Sequence, residues 1–454
     1  MGGVTMKVHD IIEATGGLLL SGDLNTEVIG ATQDSRQIKE GNLYIAIKGQ
    51  KQDGHSFVLD ALSKGAAAVL VEDAVDGKDK AVIQVSNTVH ALQQLAHYVR
   101  TKNAITVIGI TGSVGKTSTK DIVYNVVKQK YRTLKTKGNY NNEIGLPLTI
   151  LQYQDEEVMV LEMGMDQLQQ ISVLSHIAKP DIAIITNVGS AHIGVLGNRD
   201  NILQAKLEII EGMEDDGVLI LNDDNDMLRQ VQAARVPIVR VGSQGGDIVA
   251  RNIKLYEDSS EFTIEIEEVE QSVSIPVPGQ HFIINALLAI AAGRQLQIPL
   301  ADCIKGIASF TLTKNRMDIF YLRDTIKVID GTYNASEDSL RASIDVLTNQ
   351  KGRKICIVGD ILDMGSFSQK VHESLGKYIA SKEIDILICK GEATMYTKVE
   401  AQNHGMEKVM HFSTNEQIVT YLEEILQSGD VILCKGSNAL HMEGIINSLK
   451  EKWA

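Results

Sequence analysis

The chain of 454 residues has only six prolines, none of them clustered, so no proline-rich linker marks a hinge between its parts. It contains no internal repeat and no low-complexity segment. No apolar stretch approaches the ~18 residues of a membrane span, and residues 1–20 lack the basic region and long apolar run of a secretory leader. No basic run exceeds a few residues and the net charge is -14, which argues against nucleic acid or an anionic membrane as a partner. Any phosphate binding must therefore be local. The four cysteines, Cys303, Cys356, Cys389 and Cys434, show no metal-ligand spacing, and three of them sit in apolar runs. Reduced core thiols and a cytoplasmic location are the expectation.

What is present is the composition of an ordinary globular protein, 44% hydrophobic and 22% charged. The length exceeds the roughly 250–300 residues over which one core keeps growing, so several domains are expected. Three blocks separate by pattern. Residues 1–87 hold short strands, such as 43–47 and 68–71, with turn residues between them, as in a compact α/β module. A helix over 89–100 leads into the second block, 88–314, where strands and helices alternate: strands at 105–110, 158–162, 181–187 and 217–222, helices at 116–130, 166–178 and 201–212. Such alternation predicts a parallel sheet covered on both faces. Over 248–277 the period shifts toward two, predicting antiparallel strands appended to that sheet, and a helix over 280–295 follows. The third block, 315–454, alternates again, with strands at 326–330, 354–359, 384–390 and 430–435 and helices at 337–348, 369–381, 415–427 and 440–450. It reads as a doubly wound, dinucleotide-fold (Rossmann-type) unit.

The most informative segment is the apolar run 104–110 breaking into Thr111-Gly112-Ser113-Val114-Gly115-Lys116-Thr117-Ser118 at a helix start. A glycine turn feeding a new helix directs backbone N–H groups inward, where they solvate phosphate oxygens without side chains. Lys116 then reaches the outer phosphates of a nucleoside triphosphate and the Thr117 hydroxyl holds its magnesium. A plain turn with a solvated lysine is the competing reading, which the strand-turn-helix context disfavours. Ile110 stands where the common G-x-x-x-x-G-K-[ST] pattern has its first glycine.

Other residues gather at the same predicted sheet edge. Glu162 ends an apolar strand, at the end that faces the ligand crevice in open α/β sheets, and reads either as a magnesium ligand or as a surface acid. His192 follows the turn Val188-Gly189-Ser190-Ala191, as a metal or phosphate contact or as an ordinary loop histidine. Lys206, in an apolar helical segment, is by default a solvated lysine. The segment 137–147 concentrates Asn139, Asn141 and Asn142 with two glycines and a proline, which suits a polar, uncharged recognition loop or a simple turn.

Together these residues resemble the Mur ligases, the ATP-dependent amide-forming enzymes that build the peptide stem of cell-wall precursors. The resemblance spans essentially the whole chain. The family's phosphate loop, T-G-x-x-G-K-[ST], is similar to 111–117 and accommodates Ile110. The segments 138–149, 359–365 and Lys435-Gly436-Ser437-Asn438 resemble those of the member that joins D-alanyl-D-alanine to UDP-N-acetylmuramoyl-tripeptide. Asp34-Ser35-Arg36 and 49–57, with Gly49 and His55, look like the family's uridine-nucleotide module. No Asp-Asn-Pro-Arg segment, typical of the sister ligase that adds the third residue, occurs.

The resemblance implies three domains, a UDP-substrate module (1–87), an ATP-binding centre (88–314) and a Rossmann-like third domain (315–454), with the third closing over the second. It implies that Lys206 is carbamylated into a magnesium ligand, that Glu162 and His192 are its partners at a second ion, and that Thr117 and Glu162 hold the nucleotide magnesium. Asn285, Arg316 and Asp330 match nucleotide contacts, with Phe282 where the motif usually has Asn and Gly331 where it usually has a second acid. ATP, two magnesium ions, both small substrates and a monomer are expected, with neither nucleic acid nor membrane. The rivals are the sister ligase, folate polyglutamylation, and a nucleotide-switched binding protein.

Overall fold

A computed structural model describes residues 3–453 except 50, 78, 233, 234, 267, 313, 314 and 324. The expected boundary at 314/315 falls on residues 313 and 314, outside the described residues, as does Gln50 within 49–57.

The central sheet decides where the site lies. Seven parallel strands run in the order Ile248–Val249, Ile238–Gly242, Val218–Asn222, Ile182–Ile185, Thr106–Thr111, Val158–Glu162, Thr133–Lys135. Their β-branched residues are buried on both sides, as parallel strands require. Ile108, Ile110, Val158, Val160, Ile182 and Ile184 pack on one face under helix Gln280–Gln295. Val107, Met159, Leu161, Ala183 and Ile185 fill the other. Register aligns Glu162 with Ile110, and Ile185 with Thr111, so three strand ends open at one carboxyl edge.

Helix Gln280–Gln295 buries twelve of its sixteen residues, the behaviour of a segment enclosed on all sides rather than amphipathic. Its alanines let helix Lys116–Val127, which starts at the phosphate loop, lie against it. Helix Leu300–Ala308 packs on Lys116–Val127 as well, through Gly306.

The antiparallel strands expected as an extension of the central sheet instead form a sheet of their own, Arg251–Leu255, Ser260–Ile266 and Val269–Ile275. The alternation places Phe262, Ile264, Val273 and Ile275 on one face, which is buried in the core that includes helix Gln280–Gln295. Stacking on helices buries that face; lengthening the sheet edge would leave it in water.

The main sheet of the amino-terminal unit has five strands in the order Leu18–Ser21, Ala81–Gln84, Ala68–Val71, Leu43–Ile45, Ala31–Thr32, of which only the first pairing is antiparallel. Helix Thr88–Lys102 joins it to the centre. Asn87 caps its start and Arg100 and Lys102 complement its carboxyl end. Its buried stripe, Ala91, Leu92, Leu95, Ala96 and Val99, belongs to a core continuous with that of the central sheet. Arg100 donates to the carbonyls of Ala178 and Lys179 and to Asp181, each at 2.9 Å.

The carboxyl-terminal unit has six strands in the order Asp318–Leu322, Ile326–Asp330, Val431–Lys435, Lys354–Gly359, Ile386–Lys390, Val409–Phe412, the first antiparallel and the rest parallel. It meets the small antiparallel sheet through buried Lys327, whose Nζ donates to Asp258 and to Gln350, both at 2.8 Å. All four cysteines are buried and unbridged, and burial pushes the Cys303 and Cys356 thiols up, to about 11 and about 12. Among the described residues, no helix is long and apolar enough to cross a membrane.

A Cβ on Gly306 would stand 2.6 Å from the Asn125 carbonyl oxygen and the Val126 Cα, backbone atoms of the phosphate-loop helix. Gly306→Ala is expected to destabilise the protein by about 1–3 kcal/mol, read as a lower urea midpoint. An unchanged midpoint would mean that the two helices separate freely.

Candidate active site

Strand Thr106–Thr111 delivers the chain into the glycine turn. Gly112 has φ 154°, and a Cβ there would lie 1.9 Å from the Thr186 hydroxyl. Gly115, at φ 82°, is the left-handed residue from which helix Lys116–Val127 starts, so both glycines are required by shape. The loop is also wired to the next strand's exit. Ser113 N–H donates to the Asn187 carbonyl (3.1 Å), Val114 N–H to Asn187 Oδ1 (2.9 Å), and Thr186 Oγ1 to the Val114 carbonyl (2.6 Å). Lys116 arches back over the turn, its Nζ donating to the Gly112 carbonyl at 2.6 Å. Burial draws its pKa down, opposed by Glu162 and reinforced by Arg316.

Glu162 is 2% exposed. One carboxylate oxygen accepts from Thr117 Oγ1 (2.8 Å), the other from Asn141 Nδ2 (2.9 Å), and its backbone N–H donates to Thr136 Oγ1 (3.0 Å). Among the described residues it forms no ion pair. A buried carboxylate held only by neutral donors, beside a phosphate-loop hydroxyl, fits a hard divalent cation. The described residues contain no group of three His, Cys, Asp or Glu that would bind a metal by themselves, so phosphate oxygens and water would complete a magnesium shell there.

His192 lies across the cleft in a left-handed conformation (φ 63°) at the start of helix Ile193–Leu196. Burial, then the charges of Lys116 and Lys206, lower its pKa and favour the neutral imidazole. Lys206 is 2% exposed, inside the sheet-covering helix Arg199–Leu207, with no hydrogen bond or ion pair among the described residues. Burial, reinforced by Lys116, pushes its pKa well below that of a free lysine.

The opposite wall comes from the carboxyl-terminal unit. The Arg316 guanidinium sits 3.8 Å over the Tyr333 ring, between Asn315 and Met317, both left-handed. Lys435 Nζ donates to the carbonyls of Asn334 (2.8 Å) and Gly331 (3.3 Å), and burial, helped by Arg316 against Asp330, lowers its pKa to about 8. A Cβ on Gly331 would stand 3.3 Å from the Lys435 stem, so that lysine fills the space beside the position where an acid was expected. Burial also holds the His281 imidazole down to about 4, against the Phe282 ring.

The cleft between the two walls measures about 1120 Å³. It brings together 113–118, Asn139, Asn141, Glu162, His192, Asn285 and Arg316. Thr111, its hydroxyl buried without a partner, lies behind the loop with Gly112, and Lys206 lies behind the wall. Asp330 is turned onto Thr332, accepting from its N–H (3.0 Å) and hydroxyl (2.6 Å). Asn142 caps helix Gly145–Ile150 by accepting the Gly145 N–H at 2.8 Å. The amino-terminal candidates sit in their own unit. Ser35 is buried beside the Asp34–Arg36 pair, whose two 2.9 Å contacts hold Asp34 down to about 2. His55 accepts the Glu72 N–H (2.8 Å) on Nε2, so Nδ1 carries the proton toward Asp53 (2.7 Å), and Gly49 N–H bonds the Gln52 carbonyl. Asn187, Thr136, Thr186, Tyr333 and His281 were not singled out in the sequence; only the position of Asn187 just past a strand end carried a signal.

Three family models match in order: "Mur ligase family, catalytic domain" over 27–100, "Mur ligase middle domain" over 110–293, and "Mur ligase, glutamate ligase domain" over 315–438. The chain is 36% identical over 455 aligned residues, covering 99% of both chains, to the UDP-N-acetylmuramoyl-tripeptide--D-alanyl-D-alanine ligase of Bacillus subtilis. The chain belongs to the Mur ligase family. It is an ATP-dependent ligase with the family's three-domain α/β fold. A solved MurF from Acinetobacter baumannii superposes with a TM-score of 0.92 at 31% identity, covering 99% of this chain and 100% of that one. MurF ligase from Thermotoga maritima, solved in complex with ADP, gives 0.84 at 30% identity, covering 93% and 97%.

Gly112→Ala is expected to weaken ADP binding by about tenfold or more, because the new methyl group displaces Thr186 and with it the tie to Val114. Calorimetric titration measures this; wild-type affinity would show that the loop does not need its glycine.

Proposed function

We propose that this Mur ligase joins D-alanyl-D-alanine to UDP-N-acetylmuramoyl-tripeptide, consuming ATP, in peptidoglycan precursor synthesis. The observation that carries the reading is a phosphate loop and a buried carboxylate facing a cationic wall across one cleft, in a chain alignable end to end with ligases of that name.

The chemistry follows from the charges. Transfer of the γ-phosphoryl group to the tripeptide carboxylate breaks the terminal P–O bond and forms an acyl phosphate and ADP. The amine of D-alanyl-D-alanine then attacks the acyl carbon, phosphate leaves, and the amine's proton is lost. Such transfers need alignment and charge neutralisation more than an enzyme nucleophile. The backbone N–H groups of 113–118 and Lys116 serve the phosphates, and Arg316 and Asn285 the nucleotide, with Asp330 assigned to it on resemblance alone. Thr117 and Glu162 would hold magnesium, which neutralises phosphate charge when bound. Lys206, whose proton affinity burial lowers, would add carbon dioxide at Nζ with loss of a proton, and the carbamate would hold a second ion together with Glu162 and His192. Ser35, Arg36, Gly49 and His55 are assigned to the uridine nucleotide, and Asn139, Asn141 and Asn142 to the peptide end. The domains are assigned as 1–87, 88–314 and 315–454, in a cytoplasmic monomer.

Phosphate release is expected only when ATP, the tripeptide nucleotide and the dipeptide are all present; release indifferent to the dipeptide would overturn the assignment. Lys206→Ala is expected to lose activity by about a hundredfold, with no recovery on adding bicarbonate and partial recovery with small carboxylic acids. Full activity in that variant would remove the carbamate.

A further inference from the structure

The turn 187–192 touches three parts of the protein at once. On one side Gly189 N–H donates to Ser113 Oγ (3.0 Å) and Asn187 holds the N–H groups of Ser113 or Val114 through its carbonyl and side-chain oxygens, so the turn and the phosphate loop move together. At its end it carries His192 into the cleft. On the other side it meets the carboxyl-terminal unit, where Asp338, in the first turn of helix Glu337–Thr348, accepts the Ser190 N–H at 3.1 Å. The fit is close: a Cβ on Gly189 would stand 2.0 Å from Asp338 Oδ2, and the three nearest atoms it would meet all belong to Asp338. Two residues past the turn, Gly194 N–H donates to the Asp363 carbonyl (3.2 Å), and Ile193 packs against the apolar cluster containing Ile361 and Met364. Beneath the turn, Arg199 Nη2 donates to the Val188 carbonyl at 2.7 Å, bracing it from the helix that holds Lys206.

Asp338 does not line the cleft, and no step of the chemistry above uses it. The geometry points to Asp338 as the positioning residue through which docking of the carboxyl-terminal unit on the 187–192 turn sets the phosphate loop and His192 for phosphoryl transfer. This rests on the ligase reading. Among the described residues, the carboxylate supplies the one polar contact that Ser190 N–H makes, and the left-handed His192 sits between that contact and the Asp363–Gly194 bond. The backbone on either side of His192 is thus held by the carboxyl-terminal unit. Small displacements of such groups are enough to slow transfer greatly.

The test compares phosphate release with all substrates, for kcat and KM, with ADP affinity measured by calorimetry alone. Asp338→Ala is expected to lower kcat by about tenfold or more while ADP affinity and the KM for the tripeptide nucleotide stay within about threefold. Asp338→Asn, which keeps an acceptor oxygen, is expected to retain kcat within about threefold. Gly189→Ala should slow turnover as Asp338→Ala does, and the double variant Gly189→Ala/Asp338→Ala should be no slower than Asp338→Ala, since the clash is gone. An alanine variant with normal kcat, an asparagine variant as slow as alanine, or multiplying effects in the double variant would each overturn the proposal. If the wild-type protein releases no phosphate, the function assignment fails, and small-angle scattering still decides the docking: with ADP bound, Asp338→Ala should be more extended than wild type, and identical profiles overturn it.

Discussion

A buried carboxylate whose side-chain hydrogen bonds come only from neutral donors organises this protein. Glu162 ends the second strand of the sheet's centre, and its oxygens are steadied by a hydroxyl and an amide, both neutral. Burial of an unpaired carboxylate is unfavourable unless something cationic arrives. The parallel register supplies the location, since it brings the ends of Thr106–Thr111, Val158–Glu162 and Ile182–Ile185 to the same edge. A sheet shifted by one residue would turn Glu162 to the opposite face and leave Thr117 without its partner.

The positive charges complement this arrangement from a distance. Burial lowers the proton affinity of both Lys116 and Lys206, and the charge of Lys116 adds to the effect at Lys206. One of the two is hydrogen-bonded to the loop it serves, while the other stands without a partner. Arg316 and Lys435 repeat the pattern on the facing wall, where burial and mutual repulsion bring Lys435 to about 8. The cleft is thus a low-dielectric space with cations on two sides, in which a polyanion is stabilised more than in water.

The central and third-block strands with continuous β-branched runs were legible in the sequence, and so was the phosphate loop, because both rest on local pattern. Val158–Glu162, Gln280–Gln295, Ile326–Asp330, Glu337–Thr348 and Lys354–Gly359 lie where the periodicity put them. Helix Thr394–Asn403 was not seen because it buries Thr394, Thr397 and Ala401 and exposes Met395, Tyr396 and Val399, so it has no apolar stripe. The helix expected from 166 starts at Gln170 because Gln169 is left-handed, which no composition announces. Lys206 and Asn187 were invisible as site residues for a different reason: their positions depend on which strands are neighbours, and neighbours are set by long-range pairing. The resemblance to a family carried what pattern could not.

The shared core beneath helix Thr88–Lys102 has a mechanical meaning. The amino-terminal unit and the central sheet are cast as one piece, with Arg100 riveted to the loop after helix Gln170–Ala178. The carboxyl-terminal unit is joined by separate contacts, such as the ion pair of Lys327 with Asp258 and the packing of Ile193 beside Ile361 and Met364. A caliper has this construction, one jaw continuous with the frame and one jaw attached, so a long substrate held as proposed by the amino-terminal unit would present its other end to the phosphate loop at a set reach.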